Sequence, residues 1–217
     1  MHQQVSHRVE LIRDLRLALE LGELSMHYQP IINLTTNQIV GAEALMRWNH
    51  PKHGWVSPDE FISLSERSNL IFELGTFALE HAIPQAASWN PVGASEQKLW
   101  LSINLSPRQF HDPNLLNCIE NVLETADFEP ERLIFEITEG AAMVDINSTT
   151  QVVADLRSIG AKLAIDDFGA GHSSLVYFNL FHPSILKIDR EFVVQAHETP
   201  NGERLLMAML TIGGALT

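Results

Sequence analysis

The feature that most constrains this chain is a repeated unit: a short run rich in leucine and isoleucine, with a polar residue near its end, followed by a segment that reads as helix. The runs are L-W-L-S-I-N-L-S (99–106), L-I-F-E-I-T-E (133–139), K-L-A-I-D-D-F (162–168) and I-L-K-I-D (185–189). After the first comes D-P-N-L-L-N-C-I-E-N-V-L-E-T-A, with Asp112 as a cap and Pro113 in the first turn. After the second comes S-T-T-Q-V-V-A-D-L-R-S-I-G, which Gly160 can terminate, and E-R-L-L-M-A-M-L-T-I-G-G follows the last. Strands alternating with helices at this spacing predict βα units and a parallel sheet.

The first third is less regular. V-E-L-I-R-D-L-R-L-A-L-E-L-G (9–22) predicts an amphipathic helix ending at Gly22, and M-H-Y-Q-P-I-I and I-V-G-A-E-A-L-M-R-W flank the turn-like L-T-T-N-Q, which predicts a hairpin. In S-P-D-E (57–60), Ser57 reads as a cap, Pro58 as the first helical residue and Glu60 as the capping-box partner. Six strands are expected in all. With 217 residues, 45% of them hydrophobic, the chain can bury a sizeable core. A formal charge of −13 argues against DNA and against anionic membrane as partners. Cys118 is the sole cysteine, which excludes an internal disulfide and a cysteine zinc cluster and fits a reducing compartment. No apolar run reaches membrane-spanning length and M-H-Q-Q-V-S-H-R does not read as a signal peptide, so a cytoplasmic location is expected, with any membrane tether supplied by other domains.

K-L-A-I-D-D-F-G-A-G (162–171) poses the chemical question, since Asp166 and Asp167 repel each other at the end of an apolar run. A solvated turn would accommodate them, and so would a bound cation. Asn104, Glu136, Asp166, Lys187 and Asp189 all fall near the C-terminal ends of their strands, where the catalytic groups of parallel α/β barrels gather, and Glu43 in G-A-E-A-L adds a carboxylate from the second strand. Singly, Glu43 reads equally well as a salt-bridge partner, Lys187 as a surface lysine and Asn104 as a cap for the turn at Ser106-Pro107. Together they favour a site. Its hard oxygens suit magnesium or manganese rather than zinc or copper, and the adjacent Asp167 would let Asp166 bridge two ions that could hold an anionic diester. His50 and His53 resemble a metal pair but lie in a Pro/Gly loop without further ligands. The Met/Leu stripe at 205–210 reads as helix core.

At these residues the sequence resembles the EAL-domain phosphodiesterases, which hydrolyse the bacterial messenger cyclic di-GMP. The motifs, in order, are Y-Q-P-I (28–31), G-A-E-A-L-M-R-W-N-H-P (41–51), S-I-N-L-S (102–106), F-E-I-T-E (135–139), D-D-F-G-A-G (166–171) and L-K-I-D (186–189). The resemblance covers nearly the whole chain and implies a TIM-type (β/α) barrel. It implies that Glu43, Asn104, Glu136 and Asp166 bind one Mg2+ or Mn2+ ion and that Asp166 and Asp167 bind a second. Glu43, Asp167 and Lys187 are the expected catalytic residues, with Lys187 beside the attacking water and a phosphate oxygen. On the substrate side the expected residues are Gln29 at a guanine, Arg47 on a phosphate and Asp189. Glu139 would anchor the loop D-F-G-A-G-H-S-S, in which Ala170 and His172 replace the family's usual Thr and Tyr, and which often contributes to a dimer interface. Two further family segments, a strand with Ala-Glu-Gly-Val-Glu and a Gln-Gly segment, have no counterpart here, so residues 1–217 are expected to form a single EAL-like domain lacking its last strands. The implied partners are cyclic di-GMP, a second copy of the chain, and sensory or diguanylate cyclase domains in a longer protein. Two other functions stay open: a noncatalytic cyclic di-GMP receptor or regulatory module, inactive because the last strands are missing, and an unrelated magnesium-dependent barrel acting on a small carbonyl compound.

Overall fold

Local sequence sets most of the element boundaries. In the computed structural model, which describes residues 2–89, 98–169 and 180–214, helix α1 (His2–Leu21) stops at Gly22, which takes φ +70°. Strands β1 (Leu24–Asn33) and β2 (Gln38–His50) form the expected antiparallel hairpin. In its turn the Asn33 side chain accepts the Thr35 and Thr36 N–H groups, and Asn37 takes φ +54°. The six strands expected become seven among the described residues, because Gly54 at φ +68° reverses the presumed loop after His50 and β3 (Gly54–Val56) pairs back on the end of β2. Three residues are too few to show a period, which is why the sequence conceals this strand.

Helix α2 (Pro58–Ser68) begins after Ser57 as predicted, but the Ser57 side chain makes no capping bond; its carbonyl accepts the Glu60 and Phe61 N–H groups instead. Helix α3 (Ile71–Ala87) follows. Next come β4 (Trp100–Asn104) and α4 (Leu115–Ala126). The start of α4 corrects the expected cap: Asn114 stands at the N-cap, and Asp112 accepts the Asn114 N–H in the turn before the helix. Strand β5 (Leu133–Thr138) leads into α5 (Glu139–Val144) and α6 (Ile146–Ser158), which is terminated at Gly160 with φ +94°. Strand β6 (Lys162–Phe168), strand β7 (Ile185–Ile188), α7 (Arg190–Glu198) and α8 (Pro200–Gly214) complete the described chain. Ala170 and His172, with the rest of the loop after Gly169, lie outside the described residues.

The strand order is β1-β2-β4-β5-β6-β7, with β3 on β2, and every pairing from β2–β4 onward is parallel. This is an α/β fold of TIM-like type whose sheet is not closed by hydrogen bonds among the described residues. Strand alternation separates its two faces. Leu101, Ile103, Leu133, Phe135, Leu163 and Ile165 pack with helix residues such as Ile83, Ile119 and Leu156 in the larger core. The intervening positions 102, 104, 136 and 166 face the other way. A second core gathers Leu11, Leu15, Phe61, Leu64 and Leu74 around Trp48, joining α1 and α2 to the far end of β2. The Met/Leu stripe of α8 is core only in part: Met209 is buried, while Leu205, Met207 and Leu210 are exposed.

Candidate active site

The polar face of the sheet brings Glu43, Asn104, Glu136, Asp166 and Lys187 to one place. Pairing sets Glu43 beside Ser102 and Asn104 beside Glu136, so neighbouring strands present their polar side chains on one face. At the end of β6 the pairing with β7 slips between Ile165 and Phe168, and Asp167 takes φ +54°. An irregularity of this kind re-aims side chains. Asp166 Oδ1 accepts the Asp167 N–H at 2.9 Å, and its other oxygen meets the Lys187 ammonium at 3.0 Å. Asp166 thus reaches the cluster, while the adjacent Asp167 is exposed.

Lys187, from β7, is the centre of the arrangement. Its Nζ donates to Glu43 Oε2 at 3.2 Å, to Asp166 Oδ2 at 3.0 Å and to Glu136 Oε2. Asn104 Nδ2 donates to Glu43 Oε1 at 2.8 Å, so the ligand atom that Asn104 can offer a cation is its Oδ1. The second oxygen of Glu136 accepts the hydroxyl of Ser102. Burial works to lower the Lys187 pKa, but the bond and charge of Glu136, the bond of Asp166 and the charge of Glu43 outweigh it, and the ammonium is held well above its usual range. Burial pushes the Glu136 carboxyl up against the pull of Lys187 and Ser102, and it also raises Asp167, aided by the charges of Asp166 and Asp189.

The remaining predicted residues lie around this centre. Gln29 is the cross-strand partner of Glu43 and shares its face. Arg47 lies four residues along β2, roughly 13 Å away, and its guanidinium donates to the Met46 carbonyl at 2.9 Å. It borders a cavity of about 740 Å³ that Asn104 also lines, with Met26, Ile62 and Leu74 on its apolar walls. Such a volume suits a drug-sized ligand. Asp189 caps α7, accepting the Glu191 N–H at 2.7 Å. Glu139, buried, accepts the Gly169 N–H at 3.1 Å. Gly169 combines φ +98° with α7 and α8 so near that a Cβ would stand 2.4 Å from Met209 and 2.7 Å from Phe192, so a larger residue would be strained and would have to displace both side chains.

Ser102 was given no role by sequence reasoning. The signal was available: a hydroxyl two residues before Asn104, inside an apolar run, is polar at a position that alternation places on the same face. His50 is buried, and its Nε2 lies 3.2 Å from Asp14 Oδ2. Among the described residues, no group of three or more His, Cys, Asp or Glu side chains stands ready-made to hold a metal; at the rim, Lys187 stands between the three carboxylates. The donor chemistry nonetheless fits a hard divalent cation, because carboxylate oxygens from three strands converge on a centre that a positive charge already takes.

The family model described as "EAL domain" matches residues 12–216. The chain belongs to the EAL domain family. All of this EAL domain aligns with the bifunctional diguanylate cyclase/cyclic di-GMP phosphodiesterase MucR of Pseudomonas aeruginosa, at 35% identity over 216 residues and 31% of that protein's length. It also aligns in full with the cyclic di-GMP phosphodiesterase PdeR of Escherichia coli, at 33% identity over 216 residues and 32% of its length. The chain therefore spans about a third of the length of these two relatives. Among solved structures, the MucR phosphodiesterase in complex with cyclic di-GMP superposes with a TM-score of 0.86 at 35% identity, over 95% of this chain and 83% of that one. The EAL enzyme Bd1971, with cAMP and cyclic di-GMP bound, gives 0.89 at 31% identity, over 98% of this chain and 58% of that one. No helix among the described residues is long and apolar enough to cross a membrane.

Proposed function

We propose that this EAL domain hydrolyses one phosphodiester bond of cyclic di-GMP to give the linear dinucleotide pGpG, using two divalent cations. The observation that carries this reading is the convergence of Glu43, Glu136 and Asp166 on one centre, with Asn104 fastened to Glu43. Glu43, Asn104, Glu136 and Asp166 would hold one Mg2+ or Mn2+ ion, and Asp166 with Asp167 a second. Bound there, the ions would lower the pKa of a water and offset charge on the phosphate.

The chain's own groups supply the rest. The ammonium of Lys187 stays charged at neutral pH and presents that charge where negative charge develops on the phosphate. Arg47 offers a planar fork to the second phosphate, and Gln29, beside Glu43, offers amide hydrogen bonds to a guanine edge. Asp189 supports the substrate side from the start of α7. Water adds its hydroxyl to phosphorus, and the released sugar oxygen takes the proton. Glu139 keeps the loop start in place through Gly169. In this reading the chain is the phosphodiesterase part of a longer cytoplasmic signalling protein and works as a homodimer.

The test is chromatography of cyclic di-GMP incubated with the chain and magnesium or manganese, with and without EDTA. Metal-dependent appearance of the linear dinucleotide is expected. Binding of cyclic di-GMP without turnover in either metal would replace this function by a noncatalytic receptor; absence of both binding and turnover rejects the substrate.

A further inference from the structure

Ser102 stands out as a buried polar residue to which nothing above assigns a part in the chemistry. It lies in the middle of β4 with no exposure to solvent, between the buried Leu101 and Ile103, which point to the helix side. Its own side chain faces the rim side, where pairing sets it next to Glu43 on one neighbouring strand and one step below Glu136 on the other. Its hydroxyl donates to Glu136 Oε1, and Glu136 itself is only 2% exposed. Glu136 Oε2 is the oxygen that reaches Lys187. The two oxygens of one carboxylate therefore have different tasks, and one hydroxyl decides which is which. A glutamate has three side-chain torsions, and its terminal one is broad and roughly two-fold; without a partner on Oε1 only the bond of Oε2 to Lys187 would orient the carboxylate.

We propose that Ser102 is a positioning residue: it pins Glu136 Oε1 from beneath so that Oε2 alone is presented to the cation centre. This deepens the metal-dependent reading of the rim and rests on it. Partners that orient a ligand typically change metal affinity by about 10- to 100-fold when removed.

The experiment is calorimetric titration of Mn2+ into the full chain without substrate, for wild type, Ser102→Ala and Ser102→Thr, with the melting temperature of each recorded. Ser102→Ala removes one oxygen and is expected to bind Mn2+ about tenfold more weakly, with a modest fall in melting temperature from the acceptor left unpaired. Ser102→Thr keeps the hydroxyl and is expected to restore affinity to within about threefold of wild type. If the Thr methyl prevents folding in so tight a site, Ser102→Ala decides alone. Wild-type Mn2+ affinity in Ser102→Ala overturns the proposal, as does a loss of affinity that merely follows a loss of stability. Failure of wild type itself to bind Mn2+ removes the metal-dependent reading along with it.

Discussion

Strand β2 serves two polar clusters whose charge is arranged in opposite ways. Midway along it, Glu43 joins Glu136 and Asp166 around the single ammonium of Lys187, so carboxylates outnumber the cation that holds them. At its far end, beyond the parallel sheet, Trp48 Nε1 donates to Glu23 Oε2 at 3.1 Å and His50 Nε2 meets Asp14 Oδ2 at 3.2 Å. The other nitrogen of His50 accepts the Lys52 N–H at 3.0 Å, which fixes the proton on Nε2 and makes His50 a donor to Asp14. Here each donor has its acceptor and the cluster binds α1 to the sheet. Satisfied polar networks hold structure. An excess of one charge in a partly buried site attracts an ion instead. The same residue types thus serve architecture at one end of β2 and chemistry near its middle.

The largest effect should come from breaking the satisfied end. Trp48 is fully buried and stacks edge-on against Phe61, with ring centres 6.1 Å apart. Trp48→Ala should cost about 3–5 kcal/mol, a large part of a domain's total stability, read from urea denaturation. A shift below about 1 kcal/mol would mean that this cluster is not what fastens α1 and α2.

Next comes the surplus end. Asp166→Asn removes one of the three carboxylates and should lower hydrolysis of cyclic di-GMP by at least about a hundredfold, roughly 2.7 kcal/mol of transition-state stabilisation. Glu43→Gln should behave similarly, and both proteins should keep a wild-type urea midpoint. Turnover near that of wild type in saturating magnesium would remove the catalytic half of the comparison.

Lys187→Met probes the one cation of the surplus cluster. Its charge counts most as negative charge develops on the phosphate, so kcat should fall about tenfold while KM changes less. Steady-state kinetics with cyclic di-GMP will separate the two, and a change confined to KM would make Lys187 a binding residue only.

The two ends of β2 were not equally legible in the sequence. Asn104, Glu136, Asp166 and Lys187 could be picked out because each interrupts an apolar run near a strand end, and Glu43 because it is a carboxylate within one; parallel pairing converts those positions into proximity. Ser102 interrupts a run in the same way but was absorbed into its motif. The cluster at Trp48 and His50 was invisible: Asp14 and His50 are 36 residues apart, and no periodicity links a helix face to the end of a hairpin strand. His50 and His53 were paired in sequence as possible ligands, whereas the partner of His50 comes from α1. The slip at Asp166 and Asp167 depends on the pairing of β6 with β7, which a single strand's sequence does not record. Nor did the sequence foretell that the ammonium of Lys187 would stand among the carboxylates rather than beside them.

The smallest effect belongs to Asp14, and it tests whether the satisfied cluster depends on charge at all. A hydrogen bond from Arg13 holds the Asp14 carboxyl below the usual carboxylate range; burial opposes this, and the bond from His50 adds to it. Since the folded pKa lies below the unfolded one, this contribution is fully present above the unfolded value, about 4, and is lost as the pH falls through the lower folded value. The Asp14 side chain is 14% exposed and that of Arg13 is 67% exposed, so water screens the pair. Asp14→Asn keeps an acceptor for His50 but removes the charge, and near neutral pH it should cost less than about 1 kcal/mol. The measurement is the urea midpoint of both proteins from about pH 7 to about pH 3. The gap should narrow toward the acid end, where the wild-type carboxyl becomes neutral like its replacement. A gap that stays constant would show that the shape of the bond to His50, not its charge, holds α1 in place.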